Sequence, residues 1–331
     1  MGLSIRQELN KFAKVYNKYE SADKMFKKIT NKDIPRFALL IKDILTKTSY
    51  EETQEEYNID EITPKIVKII VYLTEYITEG DNLFDTYFAE KNYDNYRTTI
   101  EKIMKIALMS WDISYSLKEL PFDITPEIIF HLKTLMKTSQ FEVSLAKKEI
   151  EYTEDKLYAF KENRNSDYLL YLSLILPLFS ESIKEKISRF FKLYVVFDNI
   201  LDDICDIEVD FENKSFNFLL YYLQNKNVLP TTPEELQDAL IRNQIYDYAL
   251  SIAKECADDA LKIVENSSSE LMNYLRFLIE SGMQGLTLFK EHSYFTTIID
   301  NKKLHHDIRH FLLKPYPWST ISYDEIEHEF K

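Results

Sequence analysis

Tyr194-Val-Val-Phe-Asp-Asn-Ile-Leu-Asp-Asp-Ile-Cys-Asp-Ile-Glu-Val-Asp210 is the stretch whose reading decides the fold of this chain. Asp198, Asp202 and Asp206 step by four, so on a helix their carboxylates lie along one face about one turn apart. Asp203 stands beside them, and Phe197, Ile200, Leu201, Ile204 and Cys205 fill the positions between. Like charges at this spacing weaken an isolated helix by about 0.2–0.5 kcal/mol per pair. The apolar residues between them mark a helix embedded in a core. Four carboxylates held there call for cations that neutralise them.

Outward from this helix, apolar residues recur at i, i+3, i+4 and i+7 almost throughout. The pattern predicts helices over roughly 3–29, 34–48, 61–90, 93–117, 125–152, 164–180, 182–207, 212–224, 233–265, 267–295 and 301–313. Thr125-Pro126-Glu127, Ser180-Glu-Ser182, Thr232-Pro233-Glu234-Glu235 and the Asn266-Ser-Ser-Ser-Glu270 segment read as helix starts. Thr63-Pro64 reads either as a turn or as a further start. The chain of 331 residues has 4 glycines and 9 prolines, which argues against Gly-rich phosphate loops, dinucleotide folds and multi-turn sandwiches. With 45% apolar residues, no repeat and no Ser/Gly linker, the expected architecture is one large all-α domain over residues 1–331.

A second acidic pair, Asp81 and Asp85 in Glu79-Gly-Asp-Asn-Leu-Phe-Asp85, ends an apolar helix and has the same Asp-Asn-x-x-Asp form as Asp198–Asp202. Net charge −14 excludes nucleic acid as the main partner. Cys205 and Cys256 have neither metal-ligand nor disulfide spacing, which fits a reducing cytosol, and cytoplasmic placement is the expectation. No apolar run reaches the roughly 18 residues that span a bilayer. The opening MGLSIRQELNKFAKVY has no long apolar segment, so no secretory signal is expected.

Tyr194–Leu220 resembles the second aspartate-rich region of class I isoprenoid synthases, the trans-prenyl diphosphate synthases and class I terpene synthases, in which an acidic helix is followed by an acidic loop, a Lys and another helix. Asp81–Asp85 matches the family's first motif in place and type, and Met136-Lys-Thr-Ser-Gln-Phe141 is similar to its Lys-Thr segment between the two. Both motifs carry Asn at the second position, where the family has Asp. The resemblance covers roughly residues 65–225.

It implies an all-α helical bundle of the isoprenoid synthase type with a central apolar cavity and the two motifs on opposite walls. It implies about three Mg²⁺ ions on Asp81, Asn82, Asp85, Asp198, Asn199, Asp202 and Asp206, with Asp81, Asp85, Asp198 and Asp202 catalytic. Lys137, Arg164 and Lys214 would contact the diphosphate of a prenyl diphosphate substrate. Peripheral membrane contact for product release and a homodimer are compatible with it. The Gly-Gly-Lys-x-x-Arg segment that holds a second diphosphate is missing, the nearest place being Asn31–Arg36, and Val195 replaces the usual Gln. These departures point to one substrate, and so to a terpene synthase rather than a prenyltransferase; a helical binding protein is the non-catalytic alternative.

Other features read more plainly. His305, His306, Arg309 and His310 form a basic helix end, and Arg309 and Lys314 are candidates for a lid. Gly282-Met-Gln-Gly285 marks close helix packing or a kink, and Trp111 and Trp318 read as core or interface residues.

Overall fold

The structure is a computed structural model and describes residues 36–54, 56–84, 96–146, 166–265 and 267–291. The helices expected over 3–29 and 301–313 lie outside them, as do Arg164, the His305–His310 cluster, Lys314 and Trp318. Among the described residues there are ten α-helices and no strand, so the chain is all-α there. They are α1 (Arg36–Thr46), α2 (Ile59–Phe84), α3 (Tyr96–Leu117), α4 (Thr125–Ala146), α5 (Ser166–Ser173), α6 (Glu181–Asn213), α7 (Phe218–Asn225), α8 (Pro233–Arg242), α9 (Ile245–Val264) and α10 (Glu270–Glu291). None is long and apolar enough to cross a membrane.

The chain gathers into two compact units. The described residues of one are 36–54, 56–84, 96–136 and 166–184. Its spine is α2, whose Ile62, Ile66, Ile69, Ile70 and Leu73 form one buried stripe at helical spacing, with α1 and α3 packed against it. Pro64 falls inside this helix, which begins at Ile59, so Thr63-Pro64 is neither a turn nor the helix start. A short turn, Tyr50–Glu52, is closed by Ser49 and Glu52 in a capping box and tied to Leu178–Ser180 through the Thr53–Phe179 bridge. The helix expected over 164–180 stops at Ser173, because Pro177 cannot continue it.

In the other unit, 137–146, 185–265 and 267–291 are described. Here α6 is the spine, with Ile187, Phe190, Phe191, Phe197, Leu201, Ile204 and Ile207 buried. It runs six residues beyond the expected end at 207 and stops at Asn213 in a Schellman motif: Ser215 donates to the Asp210 carbonyl and Lys214 to that of Phe211. Lys214 holds the left-handed position, φ 57°, that glycine usually takes. Asn217 then caps α7, its Oδ1 accepting from the Leu219 N–H. The expected helix over 233–265 is two, α8 and α9, broken at Gln244 with φ 56°. Thr232 and Ser269 cap α8 and α10 as their positions predict. Ala249, Ala253, Ala257 and Ala260 give α9 a narrow buried face, and it packs on α10.

In the first unit, Thr74 Oγ1 lies 3.0 Å from the Tyr171 hydroxyl, which is buried beneath Phe37. Burial, then the charge of Asp167, pushes the Tyr171 phenol well above its ordinary value. A raised native pKa means that this stabilisation is complete below the ordinary tyrosine pKa, about 10, and falls as pH rises above it. Tyr171→Phe is therefore expected to lose about 1 kcal/mol at pH 7, with the gap to wild type narrowing above about pH 10. Urea denaturation at both pH values checks it; a constant gap would contradict this account.

Candidate functional site

The second aspartate-rich motif occupies the middle of α6, where the apolar spine is continuous. Helical spacing puts Asp198, Asp202 and Asp206 on one side, with Asn199 three and four residues from Asp202 and Asp203 and on the same side. Asp198 is 3% exposed and Asn199 4%, while Asp202 and Asp206 are half-buried. The helix thus sinks the head of the motif into the protein and leaves its later carboxylates reachable. Among the described residues the Asn199 carboxamide has no hydrogen-bond partner for either its nitrogen or its oxygen. An unmet buried amide costs about 1–3 kcal/mol, so this one requires an account.

Asp203 corrects the expectation that all four acids of the motif await cations. It is buried, and its Oδ2 accepts the Phe218 N–H at 3.1 Å, satisfying an orphan donor at the start of α7. Asn217 completes the junction, its Nδ2 donating to the Asp203 carbonyl at 2.8 Å and to Asp210 Oδ2 at 2.9 Å. Asp203 and Asp210 are therefore structural anchors that tie the start of α7 to α6. Sequence reasoning missed this junction; Asn217, a good N-cap residue directly before an apolar run, was the available signal. Glu208, farther along α6, accepts from Gln237 of α8 at 2.9 Å.

The apolar side of α6 is fixed by α10. A Cβ added at Gly282 would stand 2.7 Å from two ring atoms of Phe197 and 3.4 Å from Leu201. Phe197 immediately precedes Asp198 and is fully buried, so the close approach sets where the motif begins. The Gly282 segment thus marks close packing, one of its two expected roles. Tyr194, one turn before the motif, is buried against Phe190, Phe191 and Phe197.

The remaining candidates are placed individually. Asp81 and Asn82 fall in the last described turn of α2, and Asp85 lies outside the described residues. Lys137 is exposed on α4; Lys214 is exposed at the stop of α6, on the rim of a cavity of about 260 Å³ that Asp210, Phe216, Asn217 and Tyr221 also line. A second cavity of about 510 Å³ lies along Leu45–Asp60. Asp198, Asp202 and Asp206 line neither.

Mg²⁺ takes hard oxygen donors, keeps several waters and is commonly bound by one or two carboxylates plus substrate phosphates. Among the described residues no three acidic, His or Cys side chains converge enough to hold an ion by themselves. The donors on α6, carboxylates in single file with a carboxamide oxygen, fit an ion that arrives with a diphosphate and not an all-protein cage.

Two substitutions test the frame. Asp203→Ala, which orphans the Phe218 N–H, is expected to cost about 1–3 kcal/mol in chemical denaturation. Gly282→Ala is expected to cost a similar amount through overpacking, and Phe197→Leu in the same chain should recover part of it; additive losses would mean the two helices do not meet there. Comparison with protein-family models, with curated proteins and with solved structures finds no match for this chain.

Proposed function

We propose that the chain is a Mg²⁺-dependent class I terpene synthase acting on one linear prenyl diphosphate. The observation that carries the reading is the head of the second motif: Asp198 and the unpartnered Asn199 carboxamide lie buried in line with the reachable Asp202 and Asp206. A buried amide with unmet donor and acceptor on an acidic helix face suits a ligand that brings cations and phosphate oxygens together.

On this reading Asp198, Asn199, Asp202 and Asp206 from α6, with Asp81, Asn82 and Asp85, hold about three Mg²⁺ ions on the diphosphate. The chemistry that Mg²⁺ supplies when bound is neutralisation of the charge on the leaving pyrophosphate. Lys137, Arg164 and Lys214 add positive charge to the same group. The carbon–oxygen bond would break with its electron pair leaving on pyrophosphate, and the allylic cation would close and pass a proton to that pyrophosphate to give a cyclic terpene. A central cavity lined by apolar and aromatic side chains would exclude water and stabilise the cation by about 2 kcal/mol per desolvated ring. Cytoplasmic placement, peripheral membrane contact at product release and a homodimer belong to the same reading.

Incubation with Mg²⁺ and C10–C35 prenyl diphosphates, with products read by mass spectrometry, tests it. A hydrocarbon or alcohol plus pyrophosphate from a single substrate is expected, lost in Asp198→Ala and Asp202→Ala with helicity retained. A longer diphosphate formed only with isopentenyl diphosphate would make the chain a prenyltransferase. No turnover together with no Mg²⁺-dependent pyrophosphate binding would leave a helical binding protein. Asn199→Leu gives an independent readout: removing the unmet amide should raise the melting temperature of the ligand-free protein while abolishing its rise on adding Mg²⁺ and pyrophosphate.

A further inference from the structure

The cavity of about 510 Å³ along Leu45–Asp60 lies within the first unit, between the end of α1 and the start of α2. Its lining is polar, and the hydrogen bonds of that lining share one direction. Thr46 Oγ1 donates to the Asp43 carbonyl at 3.1 Å and Thr48 Oγ1 to that of Ile44 at 2.7 Å. Thr53 Oγ1 donates to the Tyr50 carbonyl at 2.8 Å, and Ser49 Oγ to Glu52 Oε2 at 3.0 Å. The Tyr57 hydroxyl is bonded to the Glu56 carboxylate. A hydroxyl has a single proton to give, so these side chains have given theirs to the protein and keep only lone pairs. Tyr50 and Asn58 hold the other side-chain donors of the lining, and both are exposed. Glu56 and Asp60 add carboxylates, and among the described residues no basic side chain lines the cavity. The wall therefore accepts hydrogen bonds and carries negative charge.

Two rings stand at the same place. Tyr57 is half-buried, its ring held edge-on to Phe122 at 5.5 Å, and Tyr50 is 69% exposed. The faces of such rings attract cations. We propose that this cleft binds a small organic polycation of the polyamine class. Its ammonium groups donate to the hydroxyl oxygens and to Glu56 and Asp60, and its methylenes lie on the tyrosine rings, Leu45 and Ile59. Other ligands match one part of the wall and fail another. A bare metal ion needs convergent ligands, and among the described residues no three acidic, His or Cys side chains supply them. A quaternary ammonium brings charge without an N–H for the hydroxyls. A sugar brings donors without charge, and an anion is repelled. The volume falls in the range of roughly 300–1,000 Å³ that small-molecule sites occupy.

Asp60 and Asp81 stand at opposite ends of α2, about 31 Å apart along its axis. Asp198, Asp202 and Asp206 do not line the cleft. The site is thus separate from the acidic motifs, and it stands or falls apart from the terpene synthase reading.

Isothermal titration calorimetry of the full chain with spermidine, in about 0.15 M salt to screen diffuse attraction to an acidic protein, tests the proposal. One site with a dissociation constant on the order of 100 μM is expected. Glu56→Gln with Asp60→Asn should weaken it at least about 10-fold. Asp258→Asn with Glu280→Gln, which removes the same charge from exposed positions on α9 and α10, should leave it unchanged. Thr48→Val, close in shape but without the hydroxyl oxygen, should weaken binding about 3-fold, as should Tyr50→Ala at its exposed position. Helical circular dichroism and the ligand-free melting temperature should be unaltered in the Glu56/Asp60 and Tyr50 variants. Absence of spermidine binding, or equal losses in the two charge-matched pairs, would overturn the proposal. So would displacement of spermidine by equimolar tetramethylammonium or Mg²⁺, which bring charge alone, or a tetra-arginine peptide that binds more than about 10-fold tighter, which would make the cleft a peptide groove.

Discussion

A carboxylate or amide that leaves water must find a partner, and the arrangement of α6 follows from that constraint. The helix is apolar enough to form the core of its unit, so every polar group it carries inward has to be answered. Asp203 is answered by the first N–H of α7 and Asp210 by Asn217, and these bonds tie the start of α7 to α6. Asn199, buried as deeply, is answered by nothing among the described residues. Polar groups on one helix are thus set apart by what lies opposite them, not by residue type.

The same helix is held from its apolar side by a contact only glycine permits. Gly282 lets α10 come close enough for the Phe197 ring to lie against its backbone, and Phe197 is covalently next to Asp198. Packing at α10 and the depth of the acidic face are therefore mechanically linked. A change in the one moves the other, although no side chain of α10 need touch a ligand.

Much of this was legible in the sequence. The 3.6-residue period gave the helices, and the starts at Thr232 and Ser269 were readable because a hydroxyl cap is a local signal. Helix ends were not, and the reason is specific. Helices commonly close on a left-handed glycine, but here Lys214 and Gln244 take that conformation, so the stop of α6 and the break between α8 and α9 carry no glycine to announce them. At the site, the common face of Asp198, Asp202 and Asp206 followed from spacing alone. That Asp203 is an anchor depends on where α7 returns, which no local pattern encodes. The burial of Asn199 likewise depends on neighbours remote in sequence.

The left-handed residues have a consequence beyond topology. Lys214, Asn227 and Gln244 all fall between α6 and α9, and a non-glycine residue held there stores on the order of 1–3 kcal/mol. The stretch that follows the acidic helix is thus kept in shape by its surroundings against its own backbone preference. Such segments give way early when the surrounding packing loosens. Heating should therefore release the α7–α8 region ahead of the α6 spine, and evolution toward a hotter habitat could draw on these three positions by exchange for glycine without touching the acidic face.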